Sequence, residues 1–204
     1  MKLVLATKNK GKIVEIVEII ADLPQIEVLS IADFPELPPI EETGKNFKEN
    51  AILKAKTVAR FTGHWTLADD SGLTVAYLNG APGIYSARYA GENATDEENN
   101  AKLLAVLKDV PMEKRQAAFV CVMALCSPGG ECYTCEGRCE GLIALAPKGS
   151  HGFGYDPLFY VPAYGKTMAE LGPEVKNKIS HRAAALKQLK PLLQKVLKQN
   201  RTGI

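Results

Sequence analysis

Short apolar runs alternate with amphipathic stretches along the chain. Residues 3–6 form an apolar run that is typical of a buried strand, and helical periodicity begins just after a polar turn at residues 7–11. Apolar residues then recur at i, i+3, i+4 and i+7, with polar residues on the other side. The pattern places Ile13, Ile16, Val17 and Ile20 toward the core, and it turns Lys12, Glu15 and Asp22 away.

Further strands are indicated by short apolar runs that end in turn residues. Residues 26–29 and 66–68 are two of them, and the second is predicted to end where Asp69 begins a polar segment. Residues 116–126 are apolar on both faces, as in a central strand. The turn that follows them, rich in proline and glycine, predicts a hairpin whose second strand ends near residue 146.

Helices and loops fill the remaining sequence. Periodicity and capping signals predict helices at residues 45–61, from Thr95 and from His181 onward. Residues 33–43 are rich in proline and are predicted to form a surface loop, and residues 149–157 form a second, glycine-rich loop.

Composition narrows the class of protein. A chain of 204 residues, 46% hydrophobic and 24% charged, suits one globular domain or two small lobes, and we predict a single domain over residues 1–204. Apolar runs stay below membrane-spanning length and the first residues are too few for a signal peptide, so we expect a cytoplasmic protein without a membrane partner. The net charge of +2 is too small to indicate nucleic-acid binding, although the charged residues from Lys187 to Arg201 are all basic.

Six polar residues separate the first strand from the first helix. A strand, turn and helix in this order aim free backbone N–H groups and the positive end of the helix dipole at the turn. Hydroxyl, amide and ammonium groups are phosphate ligands by type, but an ordinary capped turn with solvated lysines fits as well. The segment lacks the Walker A spacing. The candidate phosphate ligands are Thr7, Lys8, Asn9, Lys10, Gly11 and Lys12.

One lysine of the second helix falls on its apolar stripe. At 100° per residue, Lys54 lies between Phe47, Ala51 and Val58. An ammonium group that points inward needs an anion or a path to water. It can extend along its own methylenes to solvent, or it can serve as a second phosphate ligand.

Two adjacent carboxylates follow the strand at residues 66–68. Asp69 and Asp70 repel each other, so a cation or hydrogen-bond donors are expected nearby. Mg²⁺ prefers one or two carboxylates together with substrate phosphates, and Glu41 or Glu42 could supply the second ligand. An Asx-type turn with Gly72 at positive φ is the alternative, although it does not require two acids.

The glycine-rich loop at residues 149–157 carries two aromatic residues. Phe153 and Tyr155 lie among glycines that let a ligand approach the backbone, so the loop could stack a nucleobase and hydrogen-bond its edge. A plain turn that packs Phe153 into the core is equally compatible. Downstream, His181 and Arg182 place cationic groups in the first turn of a helix, against its dipole, and Lys176 lies just upstream. Donors gathered there suit a carbonyl or anionic ligand.

The five cysteines are interpreted as ordinary strand residues. An odd number does not favour a closed disulfide framework, and reduced cytosol is the simplest compartment. Cys132, Cys135 and Cys139 resemble half of a zinc site, but a second pair at useful spacing is missing, because Cys121 and Cys126 lie in the apolar strand.

Several segments, in one order along nearly the whole chain, together resemble the inosine-triphosphate pyrophosphatase family. Each block alone is weak evidence, but so many in one order are specific. The blocks are residues 5–12, 42–44, 50–55, 68–73, 80–89, 152–157 and 179–182. Members of this family cleave noncanonical purine triphosphates, such as ITP, dITP and XTP, to the monophosphate and pyrophosphate.

The resemblance implies a fold and a cofactor. The fold would be α/β, with a mixed central sheet flanked by helices and two lobes around a substrate cleft, usually as a homodimer. The cofactor would be Mg²⁺, bound by Glu42 and Asp70, with Glu41 and Asp69 as further candidates. Asp70 would also orient or deprotonate the attacking water, and Ser71 would touch the substrate nearby.

The resemblance also assigns the remaining substrate contacts. The triphosphate would be held by Thr7, Asn9 and Lys12 with the help of Lys54. Phe153 would stack on the purine. The wall beside that ring would be Gly154, Tyr155 and Asp156, and the base edge with its 6-keto oxygen would be contacted by Lys176, His181 and Arg182.

Two other functions stay open. A non-catalytic nucleotide sensor explains the phosphate turn and the aromatic loop, but it leaves the pair Asp69 and Asp70 without a role. A nucleic-acid-binding protein would use the basic C-terminal segment and bind with a steep salt dependence. The solvated face of a helix is the commoner meaning of such lysines, so no stable nucleic-acid partner is expected.

Overall fold

In this computed structural model, which describes residues 1–199, the strands form one mixed sheet. In chain order they are β1 (Lys2–Leu5), β2 (Glu27–Ser30), β3 (Trp65–Val75), β4 (Gln116–Cys126), β5 (Cys132–Ile143), β6 (Phe159–Val161) and β7 (Lys166–Thr167). Across the sheet the order is β2-β1-β3-β4-β5-β6-β7. β1 is parallel to β2 and β3, whereas β6 is antiparallel to β5 and β7. The expected mixed α/β architecture is confirmed.

The α-helices of the described chain are α1 (Lys10–Ile19), α2 (Phe47–Thr62), α3 (Asp96–Val106), α4 (Pro173–Ile179) and α5 (His181–Gln199). α2 is fixed at both ends, because the Asn46 side chain accepts the N–H of Glu49 and Gly63 ends the helix at φ +71°. Thr95 caps α3 as predicted. Only α4 is absent from the pattern-based prediction.

The chain divides into two compact units. The first comprises Met1–Asp70, Cys121–Gly137 and the chain from Arg182 onward, and the second comprises Ser71–Val120 and Arg138–His181. The chain passes from one unit to the other several times, so neither is a continuous segment. The prediction of one domain over residues 1–204 includes residues 200–204, and the predicted basic segment includes Arg201; both extend beyond the described residues.

The core of the first unit lies on both faces of its strands. Successive side chains of a strand point to opposite faces, and β1 follows this rule. Leu3 and Leu5 pack in a cluster with residues of α1 and α5, whereas Val4 packs with residues of α2. The second unit has its own core, where Leu73 of β3 packs with Leu103 of α3. Each unit therefore holds its own loops in place.

The predicted facing of α1 is wrong at three positions. Lys12, expected to point outward, has a side chain that is only 16% exposed, and its ammonium contacts the buried Asp69. Glu15, expected to point outward, is only 8% exposed, and Val17, expected in the core, is 39% exposed. The reason is an ion pair, since Glu15 Oε2 lies 2.5 Å from Nη1 of the buried Arg182. Periodicity reports apolar burial and cannot report a carboxylate that is buried with a cationic partner.

β3 is longer than predicted. It does not end at Asp69 but continues through Gly72 to Val75, so both aspartates are strand residues. Gly72 does not have a positive φ. The alternative interpretation of this segment as an Asx-type turn is therefore wrong.

The cysteines also differ from the expectation. Cys126 and Cys132 form a disulfide between the end of β4 and the start of β5, while Cys121, Cys135 and Cys139 are free thiols. The interpretation of all five as ordinary strand cysteines is wrong for this pair, because the turn of the hairpin brings the two sulfur atoms together. Among residues 1–199, every helix is too short or too polar to cross a lipid bilayer.

Candidate active site

The polar turn after β1 is organised by its own side chains. Asn9 is the N-cap of α1, and its Oδ1 accepts the N–H of Lys12 at 3.0 Å. Thr7 Oγ1 accepts the N–H of Asn9 at 3.1 Å. Lys8 and Lys10 are exposed. The turn is thus a capped helix start that leaves two cationic side chains in solvent, and Gly11 follows inside the first helical turn.

Lys12 leads from this turn into a buried charge network, which we call the Asp69 network. The Lys12 ammonium contacts Asp69 Oδ1. The other oxygen, Asp69 Oδ2, accepts from Arg182 Nε at 2.8 Å, and Arg182 Nη1 donates to Glu15 at 2.5 Å. Glu15, Asp69 and Arg182 are each less than a tenth exposed. Two carboxylates and two cationic side chains therefore neutralise one another in the first unit.

The charges around Asp69 set its pKa. Burial raises the pKa of this carboxyl, but the nearby charges of Arg182 and Lys12 outweigh burial and hold the pKa well below its ordinary value. A third donor is the Cys121 thiol, whose Sγ lies 3.2 Å from Asp69 Oδ2. Burial, together with the charge of Asp69, raises the pKa of Cys121 well above that of a free thiol, so the sulfur keeps its proton.

Lys54 points inward, as the helical wheel predicts. Its Nζ lies 2.9 Å from Glu42 Oε1 and 2.8 Å from Asp70 Oδ1, and it donates to the backbone oxygen of Asp69 at 3.0 Å. Of the two alternatives for this ammonium, an anion or a path to water, the structure supplies anions, namely two carboxylates. We call Glu42, Lys54 and Asp70 the carboxylate cluster.

Burial and charge act in opposite directions within the carboxylate cluster. Burial lowers the pKa of Lys54, yet the charges of Asp70 and Glu42 exceed that effect and raise it. Burial also raises the pKa of Asp70, and the Lys54 charge opposes this only in part, so the pKa of Asp70 stays raised. Asp70 is therefore a stronger base than an ordinary aspartate.

The carboxylate cluster fits a divalent cation. Glu42 and Asp70 already share one cationic nitrogen, and two carboxylates are what Mg²⁺ takes alongside phosphate and water oxygens. Of the other candidates, Asp69 fits less well because it is engaged by two cations, whereas Glu41 is, like Glu42, an exposed residue of the proline-rich loop. Over residues 1–199, no three His, Cys, Asp or Glu side chains are grouped to hold a metal ion. The remaining ligands would therefore come from substrate or water.

The aromatic loop at residues 152–157 is built around Asp156. Asp156 Oδ2 accepts the N–H of Phe153 at 3.0 Å and the ammonium of Lys176 at 2.5 Å. A Cβ on Gly152, whose φ is +80°, would lie 2.0 Å from the same oxygen. Glycine is therefore required for the loop to close over the carboxylate.

Phe153 is half-buried, in contrast to the alternative in which it packs into the core. The Lys176 ammonium lies 4.6 Å from the centroid of its ring, a cation–π contact. Lys176 itself is 5% exposed and comes from α4, a helix of seven residues that begins at Pro173. The short helix thus places a buried cation over an aromatic ring.

Tyr155 and His181 are buried beside this loop. The Tyr155 hydroxyl donates to the backbone oxygen of Ser86 at 2.8 Å, and its ring belongs to the core of the second unit. His181 stacks on Phe119, with ring centroids 4.9 Å apart. Phe119 carries no sequence signal of function, because its partner His181 is distant in the chain.

The predicted site residues thus gather in two places. The first unit holds the phosphate turn, the Asp69 network and the carboxylate cluster, and the second holds the aromatic loop with Lys176 and His181. Arg182, predicted beside His181 at the base edge, has its Nε and Nη1 bound to the acids of the Asp69 network. Ser71 follows Asp70 directly and is half-buried.

Comparison with known proteins gives matches over nearly the whole chain. Residues 3–192 match the model of the Ham1 family. A protein of Geobacter sulfurreducens named dITP/XTP pyrophosphatase is 58% identical over 93% of this chain and 94% of its own. Another of that name, from Desulforamulus reducens, is 54% identical over 96% of this chain and 97% of its own.

Solved structures give the same result. A HAM1 protein from Coxiella burnetii superposes with a TM-score of 0.87 at 48% identity, covering 96% of this chain and 99% of that one. The Ham1 protein of Staphylococcus aureus gives 0.85 at 45% identity, with the same coverage. The fold and its charged clusters define an α/β protein of the nucleotide-hydrolase type. The chain belongs to the Ham1 family, and its resemblance to the inosine-triphosphate pyrophosphatases is confirmed.

Proposed function

We propose that this protein is a nucleoside-triphosphate pyrophosphatase that hydrolyses noncanonical purine nucleotides, namely dITP, XTP and ITP, to the monophosphate and pyrophosphate. The names of relatives at 58% and 54% identity support this activity. The observation that carries the proposal is the convergence of Glu42 and Asp70 on one cation, Lys54. Hydrolysis of a phosphoric anhydride needs such charge stabilisation and positioning more than covalent chemistry. The enzyme would clear unwanted purines from the nucleotide pool.

Glu42 and Asp70 would hold the divalent cation, which we propose is Mg²⁺. When bound, the ion would neutralise developing charge on the phosphate oxygens. Two carboxylates with one buried ammonium between them have a formal charge of −1, so the cluster attracts a further cation. The exposed third of the Glu42 side chain keeps the cluster accessible from solvent.

Asp70 is the proposed base. Burial raises its pKa, which the Lys54 charge opposes only in part, and the raised pKa makes it a better proton acceptor than a fully solvated carboxylate. In this proposal Asp70 orients a water for attack on the α-phosphorus and accepts its proton. Pyrophosphate is the leaving group.

The phosphate chain would be held by the turn after β1 and by the two lysines behind it. Lys8 and Lys10 are exposed and available to an anion at the start of α1. Lys12 and Lys54 are oriented by Asp69 and Asp70, so they lose little further side-chain entropy on binding. Pre-oriented cations of this kind favour the transition state, in which negative charge moves to the leaving group.

Purine selection would fall to the aromatic loop. Phe153 would stack on the base, and donors from Lys176 and His181 would face its 6-keto oxygen. Adenine carries an amino group at that position, which would leave the buried donors without an acceptor.

We further propose that the enzyme acts in the cytoplasm, where nucleoside triphosphates are consumed, and that it is a homodimer, as its resemblance to the family implies. Light scattering after gel filtration would measure the oligomeric state.

Product analysis tests the activity. ITP, dITP, XTP and ATP are each incubated with wild type and with Asp70→Asn, with and without Mg²⁺. We expect monophosphate and pyrophosphate from the first three only, a requirement for Mg²⁺, and a loss of at least 100-fold in kcat/KM in the variant. Orthophosphate and a nucleoside diphosphate would show that a different bond is cleaved. Binding of ITP without turnover would favour a nucleotide sensor.

A further inference from the structure

Both backbone polar groups of Gly154 are bound by side chains of α3. Its N–H donates to Asp96 Oδ2 at 2.7 Å, and its carbonyl oxygen accepts from Asn100 Nδ2 at 2.9 Å. The two residues are four apart, so they lie on one face of the helix. Gly154 directly follows Phe153, and both polar groups of its residue are therefore fixed by side chains from a distant segment.

Asp96 is not needed to start the helix. Thr95 and Glu98 form a complete capping box, in which the Thr95 hydroxyl accepts the N–H of Glu98 and the Glu98 carboxylate accepts the N–H of Thr95. The helix is anchored separately by Asn99, which bonds backbone groups of Ala87 and Ala90. Asp96 and Asn100 are thus presented to the loop from a helix that is already fixed.

Packing contributes little to the position of Gly154. A Cβ placed on this residue would meet no atom of the described chain within 4 Å, and its φ is +62°. A cavity of about 490 Å³ lies between the loop and α3, with Asp96, Asn100 and Phe153 among its lining residues. A loop beside open space depends on its hydrogen bonds for a single conformation.

We propose that Asp96 and Asn100 are positioning residues for purine recognition, which act by clamping the Gly154 backbone and thereby fixing the Phe153 ring. The inference rests on the proposed function in one respect, namely that Phe153 stacks on the base. Asp156 and Lys176 hold one side of the loop, and the α3 clamp holds the other. With both in place the ring is ordered before substrate arrives, which lowers the cost of ordering it on binding.

The clamp is tested with variants that separate hydrogen bonding from charge. Asp96→Ala and Asn100→Ala each remove one side of the clamp, whereas Asp96→Asn keeps an acceptor oxygen. Glu97→Ala is the matched control, because Glu97 is an exposed acid of the same helical turn. We expect kcat/KM for ITP to fall about fivefold in each alanine variant, mainly through KM, and to stay near wild type in Asp96→Asn and Glu97→Ala.

Inhibition by tripolyphosphate, which carries phosphates but no base, distinguishes positioning from general damage. Its inhibition constant should be the same in wild type and in both alanine variants. An equal weakening of ITP and tripolyphosphate would overturn the proposal, because it would mean that the variants disturb the whole fold. Loss of activity in Asp96→Asn and Glu97→Ala alike would also overturn it, since the effect would then be one of helix charge.

Amide hydrogen exchange gives a readout that needs no activity. Exchange in the peptide that contains Gly154 should be several-fold faster in Asp96→Ala than in wild type and unchanged in Glu97→Ala. Unchanged exchange in Asp96→Ala would contradict the clamp. If wild type fails to hydrolyse ITP, the proposed function fails, and the exchange experiment still decides whether the clamp exists.

Discussion

Lys54 combines burial with two acidic contacts, and this combination determines how it responds to substitution. Its Nζ lies within 3 Å of both Glu42 and Asp70, and the residue is 8% exposed. Removing one partner of a buried charge set leaves the others uncompensated, which costs more than the set contributes as a whole. The two carboxylates would then repel each other across the vacated position.

We therefore predict that Lys54→Met lowers the free energy of unfolding by about 3 kcal/mol in the presence of EDTA. Added Mg²⁺ should restore more stability to the variant than to wild type, because the ion would take the place of the lost positive charge between the carboxylates. Urea denaturation with EDTA or Mg²⁺ measures both effects. Lys48→Met, at an exposed position of the same helix, is the control and should change little. Equal responses to Mg²⁺ in wild type and Lys54→Met would contradict a metal site at Glu42 and Asp70.

Single residues were predictable where the signal is local. Lys54 could be placed in the interior because its neighbours Ala51 and Val58 share its helix. Glu15 could not, since its partner Arg182 is 167 positions away and nothing near Glu15 indicates a buried cation. Cys121 is a similar case, because its contact with Asp69 depends on the pairing of distant strands.

The aromatic loop allows a prediction at the scale of an element. Gly152 and Gly154 both have positive φ, but a Cβ at Gly152 would meet Asp156 Oδ2 at 2.0 Å, whereas one at Gly154 would meet nothing within 4 Å in the described structure. We expect Gly154→Ala to cost about 1 kcal/mol of backbone strain. Gly152→Ala should cost at least 1 kcal/mol more and raise KM for ITP, because the Asp156 carboxylate must leave Phe153 and Lys176. Thermal unfolding and steady-state kinetics of the pair test this. Equal effects of the two substitutions would show that the close approach to Asp156 is unimportant.

Helices and strands were predicted well where the hydrophobic pattern and the capping residues agree. They were predicted poorly where contacts with distant segments determine the structure. α2 and α3 begin where Asn46 and Thr95 cap them. β3 runs past its predicted end because cationic partners from other segments neutralise the two aspartates, so a polar sequence typical of a turn remains in the sheet. α4 has seven residues, too few for its periodicity to stand out.

At the scale of the whole molecule, Asp69 joins segments that are far apart in sequence. Its carboxylate contacts Lys12 of α1, Cys121 of β4 and Arg182 of α5, while Asp69 itself belongs to β3. The first unit is assembled from three separate stretches of the chain. Its cooperative folding depends on contacts, such as these, that join the stretches. The sequence motifs indicate the family, but they do not indicate that Asp69 is bound by groups from three distant segments while its neighbour Asp70 pairs with Lys54.

Asp69→Asn should therefore destabilise the protein strongly, and it should leave the proposed reacting groups, Glu42, Lys54 and Asp70, in place. Loss of the charge leaves Arg182 and Lys12 with only Glu15 as an acid in the Asp69 network, and we expect the free energy of unfolding to fall by about 3 to 5 kcal/mol. Asp22→Asn is the comparison, because Asp22 pairs with Lys190 at 2.9 Å but its side chain is 64% exposed, and surface ion pairs contribute little. Urea denaturation measures the change in the free energy of unfolding for both variants. The kcat for ITP, measured at a temperature where Asp69→Asn is folded, shows whether Asp69 also acts in the reaction. A stable Asp69→Asn variant without activity would show that Asp69 takes part in the reaction. It would contradict the assignment of a structural role to Asp69 and of the chemistry to Asp70 alone.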